Sequence, residues 1–587
     1  MRKHPIINAI FQLQALLPKK YRRQGLWIYL QLMVSSVLEI FSLASLIPLF
    51  AVILDEEQIS KSKYLSAVYD YLGFTSTRDF IIFMGVAIFV IILVKNVLYL
   101  LIKYARAKYA YSIYKYFSAQ AQRHLYAQGY LALKSGNPNK LVRDIQEAPL
   151  RFSSLYILQL LMLLNEGAVM LLILTAILIY DPVMVLLLAA VLLPGFLIFY
   201  NMAKRKMESL SKVNHGIKGD ILENLYQSIY GFVDVVLTNR RKWMFGQYHK
   251  SADKLAHTQT WLNVFMDAPS RVIEMTMMAG VISILFYGVF VLKDPKQLTM
   301  IIAVFGMAAY RILPSINRSL AALLQLKGNE FTLKIIEPLK DLHYEVDEDQ
   351  APLPFEHSIE VNNVHYQYPG RDEQVLSAVN FSIKRGEKFG IIGKSGSGKT
   401  TLANILLGLL PPTQGSIEVD GTPIEADNLP GWHHIVGYVQ QENYLINGSL
   451  ADNIAFGQEK IDMDRLMEVI EMASLKELVD SLPKGIHTQV GDRGSQVSGG
   501  QRQRVGIARA LYAGAQILVF DEATSALDQQ TEQEITDSIG NLAENDITMI
   551  MIAHRISTLK YCDRILEFDQ GELIKEWQYQ DLMVKYV

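Results

Sequence analysis

A single cysteine, Cys562, stands among 587 residues, and that scarcity excludes an intramolecular disulfide framework and a cysteine-built metal centre. A small buried thiol in a reducing compartment is the role left for it. Charge of one sign is missing too. With 56 Lys and Arg against 58 Asp and Glu, the formal net charge is -2. The chain therefore lacks the basic surplus that supplies most of the affinity for a phosphate backbone, and nucleic acid is not an expected partner. No small-residue cleavage site follows the first apolar stretch, residues 25–54. That stretch is also too long for the core of a secretory signal and is expected to remain as a membrane span.

Long apolar runs, by contrast, are abundant and unevenly placed. They crowd into the first 330 positions, while the rest has the composition of a soluble α/β domain. A chain this long exceeds one hydrophobic core, so a membrane half and a water-soluble half are expected. Six segments, residues 25–54, 80–104, 155–180, 183–202, 271–292 and 299–324, are near or above the roughly 20 residues a helix needs to cross a bilayer. Arg2, Lys3, Lys19, Lys20, Arg22 and Arg23 precede the first span with no acid among them, which places that end in the cytoplasm. The two outer hairpins near Asp181-Pro182 and Lys293 are tight. The inner connectors are far longer than loops and read as helices continuing out of the membrane. Pro194-Gly195 and Pro314 are candidate kinks.

Ionisable residues inside such spans are costly and need partners or water. Lys95 lies in the second span, Arg271 opens the fifth beside Glu274, and Arg311 sits midway along the sixth. Three cations on three helices could line a cavity that receives an anionic group. Snorkelling, or internal pairs with Glu39, Glu166 or Glu274, would account for them equally. The outer connector from Tyr64 to Leu72 carries apolar residues and tyrosines at helical spacing, as a helix at the lipid interface would.

Acids and prolines, Glu345 to Gln350 and then Pro352 and Pro354, mark a boundary. The expected division is a transmembrane domain over 1–335, a linker over 336–355 and a nucleotide-binding domain over 356–587. In the last, a short strand at Phe389 to Ile392 runs into Gly393-Lys394-Ser395-Gly396-Ser397-Gly398-Lys399-Thr400-Thr401, and a helix follows. This is a phosphate-binding loop in its proper context: glycines let backbone N–H groups curl around phosphates, Lys399 reaches them, and Thr400 offers a hydroxyl to Mg2+.

Val497-Ser498-Gly499-Gly500-Gln501-Arg502-Gln503-Arg504 precedes Ile517-Leu518-Val519-Phe520-Asp521-Glu522 by about twenty residues. With Tyr368, Gln441, Ser525-Ala526-Leu527-Asp528 and His554, this order resembles the ABC ATPase family throughout 356–587. Val497 replaces the usual leucine, and Asp492 stands where glutamate is commoner. The resemblance implies a multidomain fold: an N-terminal all-α six-helix transmembrane domain of the ABC exporter type and a C-terminal α/β P-loop ABC ATPase domain. It also implies ATP and Mg2+ as cofactors, with Tyr368 on adenine and Thr400, Gln441 and Asp521 about the metal. Glu522 would polarise the attacking water, and Lys399, Gln441 and His554 would contact the phosphates. Ser498, Gly499, Gly500 and Gln501 would close the site of a second copy in a homodimer.

The family reading is an ATP hydrolase coupled to transport in the bacterial inner membrane, multi-pass, with both termini cytoplasmic. In residues 308–318, the outer connector and the basic residues of spans two, five and six, the chain resembles lipid-linked-oligosaccharide flippases of the PglK type. This implies a polyprenyl-diphosphate-linked glycan as substrate. A lipid A, drug or peptide exporter fits the same six-span plan, although no N-terminal peptidase domain of a leader-cleaving exporter is seen. An ATP-gated channel or regulator is the remaining alternative.

Overall fold

The computed structural model describes residues 5–54, 56–180, 182–290, 295–342, 344, 350–491, 494, 496–521, 529–543, 546–553 and 555–586. No side chain of residues 287–311 is among those described. The chain divides into two compact units. Met1–Gln128 and Ala132–Tyr344 form the first; Gly129–Leu131 and Glu345–Val587 form the second. The acidic stretch 345–349 lies outside the described residues.

The first unit is helical: α1 (Pro5–Leu16), α2 (Lys19–Ala44), α3 (Leu46–Leu54), α4 (Gln58–Lys61), α5 (Lys63–Tyr71), α6 (Thr77–Ala127), α7 (Gly129–Ser135, whose first three residues count with the second unit), α8 (Pro138–Arg151), α9 (Leu158–Tyr180), α10 (Pro182–Tyr230), α11 (Phe232–Leu237), α12 (Arg241–Phe290), α13 (Pro295–Asn329) and α14 (Phe331–Ile336). The first apolar stretch, expected as one span, is two helices broken at Ser45. Pro48 has no N–H to donate to the Ala44 carbonyl, which ends the ladder there. α10, α12 and α13 instead run through Pro194, Pro269 and Pro314 without interruption.

Among the described residues, three stretches are long and apolar enough to cross a membrane: Lys19–Phe41, Thr77–Ala127 and Lys140–Thr175. In the first half of α6, Ile82, Val86, Phe89, Val90, Leu93, Val94, Val97 and Leu101 are exposed along one face of the helix, a surface suited to lipid. Farther along, Tyr109, Ala110, Ile113, Phe117 and Ala121 recur at helical spacing and are buried with Phe152 and Tyr156 in one core. A π-helical turn, Phe152–Ile157, joins α8 to α9. In the connector between α3 and α6, Leu65 and Tyr69 of α5 pack on Val52, Ile59 and Phe80, while Tyr64 and Tyr71 are 85% and 90% exposed. The connector thus has a protein-facing side and a tyrosine-bearing outer side.

The second unit holds a four-stranded antiparallel sheet, ordered β2-β1-β4-β5, and a six-stranded sheet, ordered β10-β9-β3-β8-β7-β6. The strands are β1 (Ser358–Gln367), β2 (Gln374–Lys384), β3 (Lys388–Gly393), β4 (Gln414–Val419), β5 (Thr422–Pro423), β6 (Val436–Val439), β7 (Ile517–Asp521), β8 (Thr548–Ile552), β9 (Arg564–Asp569) and β10 (Glu572–Trp577). Strands β9, β3, β8, β7 and β6 are parallel. β7 and β8 are buried throughout, which explains their unbroken apolar runs. Alternation divides β7 between two cores: Leu518 and Phe520 enter one, Ile517 and Val519 the other. Helices α15 (Lys399–Leu406), α16 (Leu429–Ile435), α17 (Leu450–Ile454), α18 (Met463–Met472), α19 (Lys476–Ser481) and α20 (Gly499–Tyr512) complete the part that matters for the site. Tyr130 and Leu131 of the Gly129–Leu131 segment pack against the core that holds Val519.

Candidate nucleotide site

In a parallel sheet, ligands gather beyond the carboxyl ends of the strands. Ile391 of β3 is level with Ile552 of β8, Ile552 with Asp521 of β7, and Val439 of β6 with Phe520. The phosphate loop leaves β3, Asp521 ends β7, and Gln441 follows β6 by two residues, all along one edge. His554 and Glu522, the other residues expected there, lie outside the described residues, as do Asp492 and Ser525 to Asp528. Arg555, next to His554, pairs with Glu532, which also accepts from Ser557 Oγ at 2.6 Å.

The loop's glycines have steric reasons. A Cβ on Gly393 would stand 2.3 Å from the Phe568 carbonyl oxygen, and one on Gly398 2.9 Å from that of Val375, with Gly398 at φ +101°. Lys399, almost fully buried, donates from Nζ to the carbonyls of Gly393 and Lys394 at 2.8 and 2.9 Å. Its ammonium thus lies inside the loop. Ser397 Oγ is buried without a hydrogen-bond partner, a polar atom that a bound phosphate would satisfy. Ser395, Gly396, Gly398, Lys399, Thr400, Thr401 and Tyr368 line one cavity of about 720 Å3. Tyr368 reaches the helix that carries the loop, its hydroxyl 3.1 Å from Thr401 Oγ1.

Thr400 is exposed to that cavity, and Asp521 is a buried carboxylate whose Oδ2 accepts from the Tyr438 hydroxyl at 3.1 Å. A hydroxyl, a carboxylate and an amide are the oxygen donors a hard divalent cation takes, so the residues present fit Mg2+.

Ser498 caps α20. Its Oγ accepts from the Gln501 N–H at 3.2 Å while the Gln501 side chain accepts from the Ser498 N–H at 2.8 Å. The Ser498 and Gln501 side chains therefore have a local structural task as well. Sequence reasoning missed Gln503 and Asn443. Gln503 Nε2 donates to the Gln440 carbonyl at 2.9 Å and its Oε1 accepts from Asn443 Nδ2 at 3.2 Å, tying α20 to the segment that carries Gln441. The signal available was a polar Gln at a buried helical position, but nothing local names its partner 63 residues away.

In the membrane unit, the side chains of two of the three expected cations are described. Lys95 is half-buried. Arg271 pairs with Glu274 at 3.0 Å on an exposed face. The Arg311 side chain lies outside the described residues. Glu166 pairs with Arg318, a residue not singled out beforehand.

A phosphate loop at the edge of this sheet, joined to a helical membrane-type unit, defines a nucleotide-driven membrane protein class. A family model described as ABC transporter matches residues 376–525, and the chain belongs to the ABC transporter family. It is 33% identical over 380 residues to an ATP-dependent lipid A-core flippase of Saccharophagus degradans, a match covering 63% of each chain. It is 30% identical over 396 residues, 67% of each chain, to the protein of the same description from Methylobacillus flagellatus. The chain thus spans less than two thirds of the first of these relatives. The solved structure of a bacterial Atm1-family ABC exporter with ATP bound aligns over 96% of both chains with a TM-score of 0.73 at 21% identity, which establishes the exporter fold. The ABC transporter domain is an ATP- and Mg2+-binding domain.

Proposed function

We propose that the chain is one half of a homodimeric, ATP-hydrolysing exporter of the bacterial inner membrane that flips a lipid-linked substrate, both termini lying in the cytoplasm. The observation that carries this reading is the shared sheet edge, where the phosphate loop, Asp521 and the Gln441 segment converge beside the unpaired Ser397 hydroxyl. Domains over 1–335 and 356–587, joined by 336–355, divide the work.

Tyr368 stacks on adenine. The N–H groups of Gly393 to Thr401 and Lys399 hold the phosphates, the ammonium exchanging its two loop carbonyls for phosphate oxygens. Thr400, Gln441 and Asp521 would hold Mg2+, which would supply charge neutralisation on the nucleotide's phosphates. Glu522 orients and polarises the attacking water, and His554 and Gln441 contact the γ-phosphate. Ser498 to Gln501, at the N-terminus of α20, close over nucleotide held by the second copy. ATP thereby favours a closed pair and hydrolysis releases it.

The hairpin tip formed by α10, α11 and α12 supports the second copy. Ile229, Tyr230, Phe232, Val233, Leu237 and Phe245 are each more than half exposed there, beyond the apolar spans. Such a patch in water calls for a protein partner.

Substrate assignment rests on Lys95, Arg271 and Arg311 as receivers of an anionic head, with the α5 outer side, Tyr64 and Tyr71, against the lipid tail. A polyprenyl-diphosphate-linked oligosaccharide fits that chemistry. A lipid A-type glycolipid is the second reading, favoured by the description of the relatives.

Reconstitution in liposomes with fluorescent lipid-linked glycan, wild type against Glu522→Gln, tests the proposal. Labelled glycan should change leaflet only with ATP and wild type. Movement of a lipid A analogue alone would replace the first substrate with the second, and movement of neither would overturn flipping.

A further inference from the structure

Resting on the nucleotide reading above, we propose that Tyr438 is a positioning residue for Asp521, its hydroxyl fixing the carboxylate in the orientation that Mg2+·ATP requires. Tyr438 pairs with Val519 across the parallel β6–β7 ladder. Asp521 lies two residues beyond Val519, so its side chain emerges on the same face of the sheet. A tyrosine is long enough to span that diagonal step, and the phenol oxygen meets Oδ2 at 3.1 Å. The donor stands on the neighbouring strand, three residues before Gln441, and not on the strand that carries the acid.

The terminal torsion of an aspartate is broad, so a carboxylate at a strand end needs a second contact to hold one plane. The Tyr438 ring supplies a firm base for that contact. It is packed against the core of Ile517, Val519, Leu402 and Leu406, the core beneath the phosphate loop's helix. Asp521 itself is only 8% exposed. The hydrogen bond is charge-assisted, the stronger class, and directs Oδ2 toward β6.

A half-buried tyrosine hydroxyl can bond a neighbour merely to be satisfied, and the two roles differ in what they move. A packing role alters fold stability and all nucleotide binding alike. A positioning role alters metal-loaded nucleotide binding selectively.

The test uses the full chain in nanodiscs with the non-hydrolysable analogue AMP-PNP, titrated in EDTA and again with Mn2+. For Tyr438→Phe, affinity in EDTA should match wild type, while the gain that Mn2+ confers should shrink about tenfold, the scale of one hydrogen bond to an ionised acceptor. The Mn2+ resonance of the bound complex should broaden or change shape in parallel. In an Asp521→Asn background the same substitution should change the Mn2+ gain by less than about twofold, because its target is gone. An unchanged Mn2+ gain in Tyr438→Phe would overturn the proposal. So would equal losses with and without metal, or full additivity with Asp521→Asn. A wild-type chain that binds no AMP-PNP would overturn the nucleotide reading and this one together, and the wild-type arm alone reveals it.

Discussion

The Arg318 guanidinium grips the Glu166 carboxylate with two hydrogen bonds, Nε to Oε1 at 2.7 Å and Nη2 to Oε2 at 3.0 Å, joining α13 to α9 across 152 residues of chain. The acid is almost fully buried, whereas the Arg318 side chain is 37% exposed. Fork geometry of this kind fixes the relative rotation of two helices as well as their distance.

Glu166→Gln should therefore destabilise the membrane unit. Part of the guanidinium can still hydrate, so the cost should fall below that for breaking a fully buried pair, about 1–3 kcal/mol. A drop of several degrees in the unfolding temperature in detergent, at fixed scan rate, checks it. Arg318→Met together with Glu166→Met should recover much of the loss.

His215, buried in α10, has Asp144 and Glu147 of α8 at 3.5 and 3.7 Å and the Phe331 ring at 5.0 Å. Arg143 bonds Asp144, while Arg151 and Lys218 bond Glu147. Burial pushes the imidazole pKa down, but the two carboxylates outweigh it and raise it above the ordinary histidine value. Its stabilising contribution is thus complete below the unfolded value of about 6.5 and disappears as pH rises through the folded one. Thermal unfolding followed from pH 6 to 9 should show a decline that His215→Gln flattens.

Much of the second unit was legible because its chemistry is local. Gly393 to Thr401 are contiguous, and the apolar runs of β3 and β7 announce strands buried on both faces. The membrane unit yielded less. Charges at Lys95, Arg271 and Arg311 could be noticed, and Glu166 could be named as someone's partner. That the partner is Arg318 depends on how α9 and α13 are rotated against each other, and helical periodicity within one segment carries no such information. The break at Ser45 was missed because hydropathy sums over Pro48 without registering its absent N–H.

Gly398→Ala should abolish measurable ATP binding, since its Cβ would meet the Val375 carbonyl oxygen and the backbone would have to hold φ +101°. Fluorescent-nucleotide titration gives the loss, and circular dichroism should show the helix content unchanged.

Gln503→Met keeps the volume and removes both bonds to Gln440 and Asn443. ATP affinity should stay within about threefold while steady-state turnover falls about tenfold, on the scale of one or two lost hydrogen bonds. Side-by-side nucleotide binding and phosphate release separate the two quantities.

Arg311→Ala should depress lipid-stimulated turnover more than basal turnover if the residue meets the substrate head. Equal losses in a reconstituted ATPase assay would assign it to the framework.

The Gln503 bridge ties the start of α20 to the segment that carries Gln441. In the proposed dimer, the surface that the start of α20 turns toward the second copy's nucleotide is then fastened to Gln441, the phosphate contact proposed for the protomer's own site. Under that proposal an occupied site would need no separate messenger to reach the other one, because a shift at one end of the Gln503 bridge would be passed to the other.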